Sequence, residues 1–265
     1  MYFDKLSEEI DDLLEKAEDE NNIKFIGEDD HFPHEGEVVI EMLGFYGSVN
    51  QIITKEVQKI AQKKKKIAGI FSSYFSEMVQ IISGEILLPI TIHQVQIGSK
   101  PFILTTSNFS VPDIIGYQLA EELFKFYKRQ KVSKILLIDG VYNNERNINK
   151  KPQIHKIFSS DLQINVINND VADFTLIGQS ACSFLTYWGY REDIPIEILV
   201  VDSFSEYDPM SSLELLKNLM REWGIKGDLS DLEKKSKEFK LSYTQSENES
   251  EVERQEKNSD KRFFI

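Results

Sequence analysis

A serine among small residues is the first feature of the sequence that could support chemistry. The run GQSA, residues 178–181, follows an apolar stretch, as does the strand-to-helix turn that exposes a nucleophilic serine in α/β hydrolases. Cys182 stands where that turn has its final glycine, and the last histidine of the chain, His155, precedes Ser180 instead of following it. Hydrolase chemistry at Ser180 is therefore disfavoured.

A second candidate is the glycine-containing turn formed by Gly44, Gly47 and Ser48. Its glycines lack the lysine followed directly by a hydroxyl residue of a phosphate-binding loop, and their spacing is not that of a dinucleotide fingerprint. The amino terminus of the helix that follows could still hold an anion. We expect these three residues to form a tight turn or a packing contact between subunits.

Two histidines, His31 and His34, flank an acidic loop and could in principle ligate a metal. Histidines in an acidic loop are more often simply solvated, and the single cysteine, Cys182, excludes a cysteine-rich zinc site. We therefore predict neither a metal nor another cofactor.

Two aspartates, Asp139 and Asp202, each end an apolar run, which is where open α/β sheets place active-site residues. Each also suits a turn or a helix cap, and no histidine, cysteine or lysine is suggested as a partner by spacing. We predict no catalytic residues and no enzyme activity. The rival prediction is a ligand pocket near Gly44, Asp139 and Asp202.

The elements that position these residues begin with a strand, a turn and a helix between Glu37 and Ala61. Residues 38–43 are almost continuously apolar, as in a strand buried on both faces, and residues 49–60 have apolar side chains at helical spacing. Serine at position 48 can cap the helix. The lysines of residues 63–66 are predicted to lie at its carboxyl end, where cations complement the helix dipole.

Further strands and helices alternate along the chain. Gly98 lies between two alternating runs and predicts a β-hairpin, and Pro112 and Pro209 each mark a helix start. Buried strands are predicted at residues 134–139 and 197–201, and a last short helix at 229–239. The predicted fold is an α/β layered sandwich with a mixed, largely parallel sheet flanked by helices, plus a β-hairpin and a disordered C-terminal tail.

The sequence divides into three regions. Residues 1–22 have apolar side chains at helical spacing and predict an N-terminal amphipathic helix, and residues 23–240 predict one α/β domain. Residues 241–265 predict a flexible acidic tail, because a stretch so rich in Ser, Asn, Gln, Glu and Lys cannot bury enough apolar surface to offset its ordering entropy. This polar stretch ends in three apolar residues, Phe263, Phe264 and Ile265.

Composition limits the partners and the compartment. A formal net charge of −13 argues against a nucleic-acid or anionic-membrane surface, because there is no net positive field to attract phosphates. No apolar run is long enough to span a bilayer, and a single cysteine fits a reducing compartment. We expect a cytoplasmic protein.

Three segments together resemble the proteasome assembly chaperone 2 family: residues 37–57, 176–189 and 206–225. The resemblance implies an α/β sandwich that forms a homo-oligomer, such as a tetramer or pentamer, and binds proteasome α-subunits. Some members of the family dock through a C-terminal hydrophobic residue, then tyrosine, then any residue. Phe263, Phe264 and Ile265 are similar to that motif, with phenylalanine in place of tyrosine.

The expected function is that of a non-enzymatic, ATP-independent proteasome assembly chaperone or adaptor that binds α-subunits through its C-terminal tail. Two alternatives stay open at this point. One is an α/β enzyme that acts on a nucleoside-like small molecule. The other is an oligomeric binding protein with a non-proteasomal partner.

Overall fold

The computed structural model describes residues 23–26, 37–43, 49–75, 80–82, 85–107, 111–143, 146–158, 164–166, 194–205 and 207–260 of the 265-residue chain. Several sequence predictions fall outside these residues: the N-terminal helix, the turn residues Gly44, Gly47 and Ser48, the histidines at 31 and 34, the serine turn at 178–182, and the terminal Phe263, Phe264 and Ile265.

One mixed sheet of nine strands organises the described chain, in the order β1-β3-β6-β7-β2-β8-β11-β9-β10, and β4 pairs separately with β5. The strands are β1 (Ile23–Ile26), β2 (Val38–Met42), β3 (Gln62–Ser72), β4 (Gln80–Ile82), β5 (Glu85–Leu87), β6 (Ile90–Ile97), β7 (Lys100–Ser107), β8 (Lys134–Tyr142), β9 (Ile154–Phe158), β10 (Ile164–Val166) and β11 (Ile196–Ser203). The helices are α1 (Val49–Ile60), α2 (Asp113–Arg129), α3 (Pro209–Trp223) and α4 (Ser230–Asp260).

The predicted mixed α/β sheet is confirmed, with its parallel part at the centre. Strand β2 runs parallel to β7 and to β8, and β8 runs parallel to β11. The pairs outside this centre are antiparallel among the described strands. The fraction of parallel strand pairs is thus smaller than the sequence predicts, because the outer strands pair as hairpins and antiparallel neighbours.

Two hydrophobic layers cover the two faces of the sheet. Alternation along β2 shows the division: Val39 and Leu43 belong to the layer under α2, whereas Ile40 and Met42 belong to the layer under α1 and α3. All four are nearly or fully buried. A strand covered on both faces must be apolar at almost every position, which explains the continuous run seen in the sequence.

Several local predictions are confirmed. The hairpin β6–β7 turns at Gly98, whose φ of 63° lies in the left-handed region that glycine tolerates. Pro112 caps the start of α2, and Pro209 occupies the first turn of α3, whose amino-terminal amides at Met210 and Ser211 donate to the Asp208 side chain.

The lysine run is a correction to the sequence prediction. Helix α1 ends at Ile60, and residues 63–66 lie in β3, where Gln62 pairs with Gln96 and Lys65 with Gln94 of β6. Strand β6 provides the backbone hydrogen-bond partners that place residues 63–66 in a strand. The lysine run itself contains no local pattern that predicts this pairing.

The last helix is longer than predicted. It continues to Asp260, whereas the sequence predicts a short helix at 229–239 followed by a flexible tail. The flexibility of the tail stays a prediction.

Candidate functional site

The carboxyl ends of the parallel strands β2, β8 and β11 bring three acidic residues to one edge of the sheet. Glu41, Asp139 and Asp202 are exposed by 0%, 6% and 4%. This edge is where open α/β sheets bind ligands. The two aspartates named from the sequence therefore do lie at a common edge, and Glu41 joins them.

Glu41, Asp139 and Asn50 form the first polar cluster at this edge. The Leu43 amide donates to Glu41 Oε1 at 2.8 Å, and the Asn50 side-chain amide donates to Asp139 Oδ1 at 3.4 Å. Burial, opposed by the Leu43 hydrogen bond and assisted by the charge of Asp139, raises the pKa of Glu41 to about 8. Glu41 is therefore neutral at pH 7.

Two atoms of this cluster are buried without a hydrogen-bond partner among the described residues: Glu41 Oε2 and Asn50 Oδ1. As a neutral acid, Glu41 can donate one hydrogen bond, whereas Asn50 Oδ1 can accept one. Buried polar groups of this kind are rare, because each unsatisfied group costs about 1–3 kcal/mol. Each of the two atoms is suited to a partner of the opposite kind, such as a bound water.

A buried tyrosine borders the first cluster. The hydroxyls of Tyr127 and Thr105 lie 2.7 Å apart, and Thr105 is the register partner of Glu41 on the neighbouring strand. Burial, and secondly the charge of Glu41, raises the pKa of Tyr127 well above its ordinary value. The phenol therefore remains protonated and serves as a structural hydrogen-bonding group.

Arg146 organises the second polar cluster, at the end of β11. Its Nη1 donates to the Asp202 carbonyl at 2.7 Å, to Asp208 Oδ2 at 2.9 Å and to Ser211 Oγ at 2.6 Å. Its guanidinium also stacks over the Phe204 ring at 4.5 Å. Burial lowers the pKa of Arg146, and the neighbouring Asp208 opposes that shift. Arg146 thus ties the loop after β8 to the cap of α3.

His155 supplies the partner of Asp202 that the sequence does not reveal. Its Nε2 lies 3.0 Å from Asp202 Oδ1, and both side chains are buried. The Ser211 hydroxyl is within hydrogen-bonding distance of Asp208 and of the Asp202 carbonyl, and it does not bond to His155. Ser211, His155 and Asp202 therefore do not form the hydrogen-bonded chain of a nucleophilic triad.

Metal ligation has no candidate in the described part of the chain. No group of three or more His, Cys, Asp or Glu side chains there could hold a metal ion. Within the same residues, no helix is both long enough and apolar enough to cross a membrane.

Helix α4 packs along α3, so its first turn lies near Lys217 and its residue Tyr243 reaches Phe204 beside the Arg146 cluster. Leu232 is buried in the layer under α1 and α3, and Lys217 of α3 pairs with Glu233 at 2.7 Å. Further along α4, Tyr243 packs against Phe204, with ring centroids 5.0 Å apart. Phe239 packs against Tyr207 at 6.4 Å. Helix α4 is therefore attached to the domain as far as Tyr243.

Sequence reasoning missed Glu41, Arg146 and His155. A signal for Glu41 was present, because it is the one carboxylate inside the otherwise apolar run of residues 38–43. Arg146 and His155 carry no such signal, since their partners lie 62 and 47 residues away in the chain.

Comparisons with known proteins identify the fold. The model of the PAC2 family matches residues 46–245. The chain is similar to the crystal structure of Pyrococcus furiosus PbaB, an archaeal proteasome activator, with a TM-score of 0.69 and 17% identity over 86% of this chain and 99% of that chain.

It is also similar to Pyrococcus furiosus PbaA, an archaeal homolog of proteasome-assembly chaperone, with a TM-score of 0.65 and 15% identity over 92% of this chain and 100% of that chain. A third similar structure is a Mycobacterium tuberculosis proteasome-assembly chaperone homologue, with a TM-score of 0.57 and 11% identity over 78% and 94% of the two chains. At these identities the likeness concerns the fold. A search of the curated proteins finds no match.

Proposed function

This chain belongs to the PAC2 family, and from that premise we propose that it is a non-enzymatic, ATP-independent proteasome assembly chaperone or adaptor. Its partners are proteasome α-subunits, which it binds through its C-terminal residues Phe263, Phe264 and Ile265. The observation that carries the proposal is the family match over residues 46–245, joined to folds shared with structures described as a proteasome activator and as a proteasome-assembly chaperone homolog.

The apolar end of the chain supports the tail-docking part of the proposal. Three apolar residues follow a strongly polar stretch, and exposed aromatic residues in such a setting usually mark a contact. Burial of each phenylalanine in a pocket contributes about 1.5–3 kcal/mol.

Several tails acting together would strengthen a weak single contact. Much of the binding free energy of one tail is offset by the loss of its conformational freedom. A homo-oligomer, such as a tetramer or pentamer, presents several tails to the repeated pockets between α-subunits and gains affinity through effective concentration. Gly44, Gly47 and Ser48 are proposed to lie in the turn or subunit contact that builds this oligomer.

The proposal is tested by pulldown of purified α-subunits with the full chain and with a chain that ends at Arg262. We expect binding by the full chain and at least a tenfold loss for the shortened one. Phe264→Ala should weaken binding, whereas Phe264→Tyr, which adds the phenol hydroxyl of the usual motif, should bind at least as tightly as the natural sequence. Equal binding by the full and shortened chains would contradict tail docking.

A second function, binding of a small polar molecule at the sheet edge, is favoured by the two unpartnered atoms of Glu41 and Asn50. The thermal unfolding midpoint in the presence of nucleosides tests it. A rise that disappears in Asn50→Leu would support this function, and no rise with any nucleoside would count against the nucleoside-like class of ligand.

A further inference from the structure

Four consecutive lysines stand out on this strongly acidic chain. Lys63, Lys64, Lys65 and Lys66 are all exposed, within a protein of formal net charge −13. Among the described residues, no carboxylate forms an ion pair with any of the four. The segment is therefore a local positive patch whose charge the described part of the chain leaves uncompensated.

The lysines lie along an edge of β3 that no described strand covers. On one side, β3 pairs with β6 from Gln62 to Ile70. On the other side, β1 covers β3 only from Gly69 to Ser72. No described strand pairs with the outer edge of residues 62–68, so within the described part of the chain the backbone donors and acceptors of this edge have no strand partner.

Two register shifts shape this edge. They lie between Gln62 and Lys65 and between Lys66 and Ala68, and Lys63 has a φ of 49°. Irregularities of this kind redirect side chains and commonly occur at sheet edges and binding sites. They interrupt the strict alternation of a strand, which would otherwise divide the four lysines evenly between its two faces.

A buried imidazole lies beside the lysines. His93 of β6 is the register partner of Lys66 and is exposed by 9%, and its Nδ1 has no hydrogen-bond partner in the described part of the chain. Burial, and then the charges of Lys64 and Lys66, lower its pKa to about 4. Edge lysines alone only discourage the pairing of sheets. The buried Nδ1 of His93 is a second polar group beside them that the described residues leave unsatisfied.

We propose that the outer edge of β3, from Gln62 to Ala68, binds an extended acidic segment of a partner protein, which adds as a strand and sets its carboxylates against Lys64 and Lys66. The lysines then exclude apolar and basic strands and admit an acidic one, so they provide specificity as well as affinity. The proposal does not depend on docking of the C-terminal tail.

The geometry favours a peptide over other anions. An open strand edge offers backbone hydrogen bonds that a peptide can satisfy and a phosphate cannot. Carboxylates two residues apart on an added strand are about 6.6 Å apart, so a peptide presents a row of negative charges to the lysine run. The net charge of the chain opposes nucleic acid.

The test uses the full chain and a fluorescein-labelled octaglutamate peptide in an anisotropy titration. We expect saturable binding that weakens with salt, because exposed charges are screened. Lys64→Gln with Lys66→Gln should weaken binding at least tenfold. The matched control, Lys234→Gln with Lys237→Gln on α4, removes the same charge elsewhere and should change binding less than twofold. Equal weakening by both double variants would overturn the proposal.

Two further readouts separate strand addition from diffuse attraction. Hydrogen exchange should slow across residues 62–68 when octaglutamate binds, and the NMR titration of His93 should move to higher pH as carboxylates offset the lysine charges. Binding without slower exchange would overturn strand addition. Binding only after Glu28, Asp29 and Asp30 are changed to their amides would also overturn the proposal, since the chain's own acidic run would then occupy the edge.

Discussion

Arg146 and Asp208 form an ion pair with an Nη1 to Oδ2 distance of 2.9 Å, and their side chains are exposed by only 4% and 0%. The pair joins the loop after β8 to the first turn of α3, because the Met210 and Ser211 amides donate to the other oxygen of the same carboxylate. Asp208 is thus both a helix cap and a counterion. Phe204, which stacks under Arg146, also contacts Tyr243 of α4.

Breaking this pair should be costly. Arg146→Met leaves the Asp208 charge buried without its cation, and we expect a loss of about 3–5 kcal/mol in the free energy of unfolding. Urea unfolding followed by circular dichroism measures it. Lys151→Gln is the control, because Lys151 pairs with Glu214 at 3.5 Å on the surface and should contribute less than about 1 kcal/mol. Similar losses in the two variants would contradict the assignment.

Glu41 should make the protein less stable as the pH rises. Its pKa is about 8 in the folded chain, against an ordinary value of 4.5, so the unfolded chain releases this proton first. The stability contribution is fully present below pH 4.5 and is lost progressively up to about pH 8, by up to about 5 kcal/mol.

Glu41→Gln keeps the shape of the neutral side chain and removes its titration. Urea unfolding between pH 4 and 8 should therefore show a variant that gains stability relative to the natural chain as the pH rises. Glu238→Gln, an exposed change on α4, should leave the pH dependence as it is. Parallel curves for the natural chain and Glu41→Gln would show that Glu41 does not titrate in this range.

Gly69 is expected to tolerate no side chain. A Cβ there would lie 1.9 Å from Leu88 Cδ1 and 3.0 Å from Leu88 Cγ, so Gly69→Ala should cost about 1–3 kcal/mol through overpacking. Adding Leu88→Ala should recover part of that loss, which a double-mutant cycle in urea measures.

Gly224 provides a contrasting glycine. Its φ is 68° and nothing lies within 4 Å of an added Cβ, so Gly224→Ala should cost about 1 kcal/mol through backbone strain alone. No second change at a neighbouring side chain should restore it. If Leu88→Ala compensated both glycine variants equally, the steric explanation for Gly69 would fail.

Phe239 should hold α4 against the domain. Phe239→Ala removes its contact with Tyr207, and we expect faster hydrogen exchange over residues 230–245 and a loss of about 1–2 kcal/mol. Leu241→Ala is the matched control on the same helix, because Leu241 is 65% exposed and should change stability by less than about 0.5 kcal/mol. Unchanged exchange in Phe239→Ala would mean that α4 is held by other contacts.

Much of the architecture follows from local pattern in the sequence. The apolar run before Gly44, the glycine between β6 and β7, and the prolines at 112 and 209 predict elements that the structure contains. These signals are reliable because the spacing of buried side chains, the conformation of a turn and the start of a helix are each decided by a few neighbouring residues.

Other features depend on distant partners. The lysine run became part of β3 because β6 lies beside it, and Asp202 acquired His155 through the pairing of β9 with β11. The position of Asp139 and Asp202 at one edge was foreseeable from the strand ends. The division of the two aspartates between separate polar clusters was not foreseeable, because Asn50, Glu41 and Arg146 reach the edge from three different parts of the chain.

The sequence by itself determined the layered α/β fold and, through its resemblance, the family. Only the tertiary structure decided the raised pKa of Glu41, the stacking of Arg146 over Phe204 and the edge beside His93 that the described strands leave open. The physical reason is that periodicity and turn preference act over a few residues, whereas burial, desolvation and charge pairing depend on which distant strands become neighbours.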